Sequence, residues 1–290
     1  MEIVVAQSKD AAVHVADAEM IAAFPSTMPD FSKAPHLKWV HSFSAGVDRV
    51  LTPFIKESDI LVSNSSGIHR TPIAEHLIGF MLMFTRGFYR TFRNQEKHIW
   101  QKDESLGELR GKQVLIVGAG EIGMEAGRLA HCLGAHVHAV ARSQKEKPAF
   151  IERMGTAADL NAMLPDADFI VIALPHTRET HHYFDIQKFK RMKQTGVIMN
   201  IGRGGIINEE DLIAALREKR IFGAALDVTE QEPLPPDSPL WDMENVIITP
   251  HHSGLSDQYM DRAITLFCEN LQAFLAGKEL PTQVDKSLGY

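Results

Sequence analysis

Residues 112–142, KQVLIVGAGEIGMEAGRLAHCLGAHVHAVAR, constrain the fold more than any other stretch. Val114, Leu115, Ile116 and Val117 form the short, unbroken apolar run that a parallel strand buried on both faces requires. Gly118, Gly120 and Gly123 follow at the G-x-G-x-x-G spacing, where a helix should open. In such a unit the first glycine permits the tight turn and the second lets backbone approach a pyrophosphate. The third lets the helix pack closely on the sheet, while the helix's free N–H groups and dipole face the anion. Gly134 ends that helix and residues 136–141 make a second strand. The glycine spacing alone would fit any glycine-rich turn, but between this strand and this helix it predicts dinucleotide binding.

The end of the second strand selects between dinucleotides. NAD sites place an acidic residue about 20 positions beyond the glycines to accept from the ribose hydroxyls. Here the strand ends in Ala141, Arg142 and Ser143, with Lys145 and Lys147 beyond. A guanidinium fork and a hydroxyl suit a 2′-phosphate, and the lysines add to the local positive field. NADP(H) is therefore the expected cofactor, with NAD(H) possible. The competing reading is an ordinary solvated basic loop.

With 290 residues, the chain exceeds one ordinary core of about 150 and is expected to form two domains. A formal charge of −7 argues against nucleic acid or an anionic membrane as the main partner. Cys132 and Cys268 are too few and too far apart for a disulfide framework. No basic segment leads into an apolar signal run, and no apolar stretch reaches the roughly 20 residues that span a bilayer. The expectation is a soluble cytoplasmic protein. No metal is expected.

Along the chain, residues 2–6 (EIVVA), 37–41 (LKWVH) and 60–63 read as strands, and 17–24 as a helix. The turn SFSAGVD after the second of these presents small residues with exposed amides at a strand exit, where open α/β sheets bind ligands. Residues 72–100 read as one long helical region, apolar around much of its girth between 77 and 84 and so buried. Beyond residue 142 the alternation continues. Strands are expected at 169–174, 196–201, 222–228 and 245–249, with helices at 158–164, 209–218 and 260–276. Such alternation implies a mostly parallel sheet covered on both faces, with functional groups at the strands' C-terminal ends.

Three polar residues stand at or after those exits. Arg203 can offer two nitrogens to a carboxylate and a neighbouring carbonyl oxygen. His251 is a proton donor whose type titrates near neutrality. Glu232, if bonded to His251, would favour the imidazolium and set the ring's tautomer. Singly, each reads as a surface or loop residue; together, at the exits of a dinucleotide-binding sheet, they read as catalytic.

The pieces GAGEIG, LPHTRET, TGVIMNIGRGGIINEEDL, ALDVTEQEPLP and NVIITPHHSG, with HSFSAGVD near the start and VDKSLGY at the end, closely resemble the D-isomer-specific 2-hydroxyacid dehydrogenase family over almost the whole chain. The resemblance implies an α/β protein of two Rossmann-like domains with parallel sheets. The cofactor domain, 101–263, would be inserted into a smaller flavodoxin-like substrate domain made of 1–100 and a C-terminal return, 264–290. The active site would lie in the cleft between them. The reaction implied is reversible hydride transfer between a nicotinamide cofactor, here NADPH, and a small 2-oxo acid to give a D-2-hydroxy acid. By the same resemblance Arg203 holds the substrate carboxylate and carbonyl, His251 exchanges the proton and Glu232 supports it. Ala45, Gly46 and Val47 grip the carboxylate. Gly118, Gly120, Glu121, Ile122, Gly123, Leu174, Pro175, Thr180 and Asp227 meet the cofactor, Asp227 at the carboxamide. A homodimer through the first long helix of the cofactor domain is implied as well. His252 follows His251 and could exchange roles with it, and the first domain is shorter than the family's usual form. The alternative from another class is a dinucleotide-sensing interaction protein of the same fold without useful turnover.

Overall fold

The structure, a computed structural model, describes residues 2–6, 8–102, 105–143 and 146–289, so Lys145 lies outside the described residues. It divides into two compact units, Met1–His69 with Ser256–Tyr290, and Arg70–Leu255.

In the smaller unit, strands β1 (Met20–Ala23), β2 (Trp39–Ser42) and β3 (Leu61–Asn64) form a parallel sheet in the order β1-β2-β3. The central strand is buried along its whole length, and Val40 and Val62 join Leu37, Val47, Val50 and Ile55 in one core. The chain returns through the helix Tyr259–Leu275, which Gly277 ends at a φ of 65°. The Thr282 hydroxyl donates to the carbonyl of Asn64 (2.6 Å), and the Val284 N–H donates to that of Val62 (2.8 Å).

Two expectations fail in this unit. Residues 2–6 form no strand: they are exposed, Val5 at 95%, because no described strand lies beside them to complete a ladder. The expected helix at 17–24 instead contains β1. Met20–Ala23 pairs residue by residue with β2, and this long-range pairing overrides the helical preference of an Ala- and Met-containing segment.

The larger unit is a seven-stranded parallel sheet. Its strands are β4 (Gln113–Val117), β5 (His136–Ala141), β6 (Arg153–Thr156), β7 (Phe169–Ile172), β8 (Val197–Asn200), β9 (Gly223–Leu226) and β10 (Val246–Ile248). Their order is β10-β9-β8-β7-β4-β5-β6. Alternate side chains supply opposite faces. Val114, Ile116, Phe169, Val171, Val197 and Met199 enter one core, and Leu115, Val117, Ile170, Ile172 and Ile198 the other. The order reverses between β4 and β7, the place where a parallel sheet opens a crevice at its C-terminal edge. Strand β6 was not expected from the sequence: it is a short edge strand containing a glycine and lacks an apolar run.

The helix Arg70–Thr85 buries Ile73, Leu77, Phe80, Met81 and Phe84 in the first of these cores, with Ala126 and Ala130 of the helix Glu121–Cys132. It therefore belongs to the larger unit, and the first boundary falls at 69/70 instead of 100/101; the return begins at 256 and not 264. The long helical region is also broken. Gly87 adopts φ 65°, a left-handed conformation that ends one helix before Phe88–Glu96 begins.

Candidate active site

The glycine-rich turn after β4 is built by contact. A methyl group added at Gly118, whose φ is 113°, would stand 2.3 Å from the Ala173 carbonyl oxygen at the β7 exit. One added at Gly123 would stand 2.2 Å from the Gly118 carbonyl oxygen and 2.7 Å from Ile116. At Gly120 it would meet nothing within 4 Å. Gly120 caps the helix Glu121–Cys132 without a side-chain hydrogen bond, so the first-turn N–H groups, including those of Glu121, Ile122 and Gly123, lack a capping side chain. Close packing before and behind the turn, with space above an uncapped helix start, fits a diphosphate.

Arg142 and Ser143 follow β5 directly and are exposed. Lys147 does not join them as a mobile charge, because its ammonium group donates to the carbonyl of Ile151. Leu174 and Pro175 leave β7. Thr180 closes the loop behind them, its hydroxyl donating to the carbonyl of Pro175 (2.7 Å) and accepting from the N–H of Thr177 (2.7 Å). Its side chain thus shapes the loop.

Arg203 follows β8. The Asn200 side chain holds its backbone by donating to the Arg203 carbonyl (3.0 Å) and accepting from Gly202 N–H (3.1 Å). Beside it, a methyl group at Gly204 would stand 1.8 Å from the Thr229 carbonyl oxygen. The loop carrying Arg203 is thereby pressed against the one carrying Glu232. That second loop is tied down by Glu230, which receives the Glu209 N–H (3.3 Å) and pairs with His182 (2.6 Å). Burial pushes the Glu209 carboxyl up and the Glu230 charge adds to it, together outweighing the hydrogen bond from the Glu230 N–H that pulls it down.

Glu232 Oε2 lies 2.7 Å from His251 Nδ1, and its Oε1 accepts from the Thr229 N–H (3.3 Å). With Nδ1 facing Glu232, Nε2 is the nitrogen that could exchange a proton elsewhere. The ring of His252 instead packs at right angles to that of His76, 5.7 Å between centres. His251 has φ 50°, a left-handed conformation costly for a residue with a Cβ. Its N–H is held by the carbonyl of Asp227 (2.8 Å).

Asp227 is only 2% exposed. Its carboxylate accepts from the hydroxyls of Thr249 (2.6 Å) and Ser253, and from the N–H groups of His252 (3.1 Å) and Ser253. Burial alone would push the carboxyl up, but these hydrogen bonds outweigh it and hold it below its ordinary value. His76, Asp227 and His252 bring potential ligand atoms within 4.8 Å of one another. The Asp227 oxygens, however, are already filled by proton donors.

In the smaller unit the substrate-grip candidates follow β2. Val47 is buried, while Ala45 and Gly46 are partly exposed. Asn64 donates to the carbonyl of Ala45 (2.8 Å), and the Ser65 N–H donates to that of Ser44 (3.2 Å). The backbone N–H groups of Ala45, Gly46 and Val47 donate to no described residue, which leaves three successive donors for an anion. Beneath this turn lies His41, 0% exposed. Its Nδ1 is 2.7 Å from the Ser63 hydroxyl, which also accepts from the Trp39 indole N–H (2.9 Å).

Burial lowers the His41 pKa from 6.5 to about 4. The unfolded chain therefore binds the proton first as pH falls, so stability held above pH 6.5 is lost on acidification, by about 2 kcal/mol at about pH 5. In His41→Gln this part of the pH dependence should vanish, which denaturant unfolding of both proteins at about pH 7.5 and about pH 5 would show; parallel losses would contradict it.

Sequence reading missed His41, His76, Thr249, Ser253, Glu209, Glu230 and His182. Single histidines and hydroxyl residues in apolar or loop segments give no periodic signal. Only the short distance from Pro250 to Thr249 and Ser253 could have drawn attention to those two.

Residues 78–253 match the family model described as D-isomer specific 2-hydroxyacid dehydrogenase, NAD binding domain. A solved D-isomer specific 2-hydroxyacid dehydrogenase family protein from Aeromonas salmonicida is 36% identical, with a TM-score of 0.88 over 97% of this chain and 90% of that one. The NADPH-dependent glyoxylate/hydroxypyruvate reductase of Sinorhizobium meliloti, solved with NADP and sulfate, is 34% identical, with a TM-score of 0.81 over 93% of this chain and 86% of that one. Among curated proteins, the glyoxylate/hydroxypyruvate reductase A of Arabidopsis thaliana is 34% identical over 87% of this chain and 80% of its own length.

Proposed function

The chain belongs to the D-isomer specific 2-hydroxyacid dehydrogenase family and reduces a 2-oxo acid to a D-2-hydroxy acid with NAD(P)H, and we propose that Arg203, Glu232 and His251 carry this reaction. The Glu232–His251 pair at 2.7 Å is the observation that carries the reading. NADP(H) is the preferred cofactor, as the NADP complex of a structural relative supports. The diphosphate would sit over Gly118, Gly120 and Gly123 at the helix start with Glu121 and Ile122, and Arg142 and Ser143 would take the 2′-phosphate. Leu174 and Pro175 would flank the nucleotide. When bound, the cofactor supplies the hydride that reaches C2 of the substrate. The Arg203 guanidinium takes the substrate carboxylate, and the N–H groups of Ala45, Gly46 and Val47 in the smaller unit are donors of the kind a carboxylate needs. Arg203 also stabilises the charge that develops on the C2 oxygen, and His251 Nε2 delivers the proton to that oxygen. Glu232 keeps the imidazole oriented.

The relatives named as glyoxylate/hydroxypyruvate reductases support a small 2-oxo acid as substrate. The test is loss of reduced-cofactor absorbance over a panel of short and aromatic 2-oxo acids with NADPH and NADH. Verified NADPH binding with no turnover across the panel would favour the sensing protein instead. In the same assay Arg142→Asp should lower kcat/KM with NADPH by roughly tenfold or more, the worth of a charge-assisted hydrogen bond, and make NADH relatively better. A wild-type preference for NADH would sink the 2′-phosphate assignment.

A cytoplasmic homodimer completes the proposal. Among the described residues, no helix is long and apolar enough to cross a membrane. Phe88, Phe92 and Ile99 are exposed in and after the helix Phe88–Glu96, as is Trp100 at 98%, while the Nη1 atom of Arg93 is buried without a described hydrogen-bond partner. Such a surface suits a second copy of the chain. Light scattering should give twice 32.3 kDa for the wild type and a shift toward 32.3 kDa for Trp100→Asp. A monomeric wild type would refute the dimer.

A further inference from the structure

Asp227 is bonded on every side to the loop that carries His251. Its carbonyl takes the His251 N–H, and its carboxylate takes the Thr249 hydroxyl, the His252 N–H and both donors of Ser253. These bonds hold residues 251–253 around a histidine whose φ of 50° would otherwise relax. The frame has one more member. His76, on the helix Arg70–Thr85, brings Nε2 to 3.1 Å from the Thr249 hydroxyl.

A count of protons gives the direction of that contact. Thr249 has a single hydroxyl proton, and the acceptor-only carboxylate of Asp227 takes it at 2.6 Å. The proton between His76 and Thr249 must then come from His76 Nε2. Burial pushes the His76 imidazole below its ordinary pKa, with the Asp227 charge pulling the other way and His252 adding to the downward shift, so the ring is neutral near pH 7. A neutral ring with its proton on Nε2 has none on Nδ1. Phe80, edge-on at 4.4 Å between ring centres, fixes the plane of the imidazole.

We propose that His76 is a positioning residue for His251: donating from Nε2, it aims the Thr249 hydroxyl at Asp227, and Asp227 holds the backbone that presents His251. Asp227 thus acts through the loop. The inference rests on the reading of His251 as proton donor, so His251→Ala is measured beside the other variants.

The experiment is steady-state kinetics with NADPH and the best 2-oxo acid of the panel, together with NADPH affinity and the solvent isotope effect on kcat. His76→Leu and Thr249→Val should each lower kcat by roughly fivefold to tenfold, the worth of one buried hydrogen bond, with NADPH affinity within about twofold of wild type. The solvent isotope effect should grow, because a misaligned imidazole slows the proton transfer. His76→Gln, which keeps a side-chain N–H donor, and Thr249→Ser, which keeps the hydroxyl, should recover most of the loss. Wild-type kcat in His76→Leu, or His76→Gln as impaired as His76→Leu, would overturn the proposal; so would a loss confined to NADPH affinity. Undiminished turnover in His251→Ala would instead overturn the reading beneath it.

Discussion

Replacing His251 by alanine is expected to lower kcat for 2-oxo acid reduction by roughly a hundredfold to ten-thousandfold, the worth of a positioned general acid, with NADPH affinity near wild type. The expectation follows from the site. Nδ1 is engaged by Glu232 at 2.7 Å, so in the proposed reaction the imidazole has one nitrogen for the protein and one for the substrate. Of the two adjacent histidines only His251 has that arrangement: the His252 ring faces that of His76. His252→Ala should therefore retain far more turnover than His251→Ala. The reverse ranking, measured in single-turnover assays that isolate the chemical step, would move the proton transfer one residue along. Arg203→Ala should differ in kind, raising KM for the 2-oxo acid as well as lowering kcat, because in the proposed reaction the guanidinium serves both capture and charge stabilisation.

The second large effect is expected from the smallest substitution. Gly204→Ala puts a methyl group 1.8 Å from the Thr229 carbonyl oxygen and 2.5 Å from the Glu230 nitrogen, both backbone atoms that cannot rotate away. Either the loop of Arg203 or the loop of Glu232 must move. A cost of about 1–3 kcal/mol or more in stability is expected, as for overpacking elsewhere. Activity should fall more than the folded fraction does, because both displaced loops carry proposed catalytic groups. Gly120→Ala is the contrast: its methyl group would meet open space, so stability should hold while NADPH affinity drops. Melting temperatures and cofactor titrations of the two variants would check this. A Gly204→Ala protein with normal stability and normal kcat would show that the two loops are not in contact.

Much of this was legible before any fold was known, and the reason is local. Strands β4, β7 and β8 are buried on both faces, so each appears as an unbroken apolar run that needs no partner to be recognised. Gly123 is a glycine because Ile116 and Gly118, a few residues before it, leave no room for a Cβ. Arg203, Glu232 and His251 stood out because their chemistry is rare beside strand exits of a dinucleotide-binding pattern. What only the tertiary structure decided depends on atoms far apart in sequence. Residues 17–24 have a composition that suits a helix, and only pairing with Trp39–Ser42 makes Met20–Ala23 a strand. The apolar helix Arg70–Thr85 announces burial without saying in which unit, and its packing with Ala126 and Ala130 assigns it to the larger one. His76 and Thr249 are 173 positions apart, and Asp227 and Ser253 are 26 apart. A hydrogen bond leaves no mark on the local pattern of either partner, so the frame around His251 came into view only when the folded chain brought its donors and acceptors together.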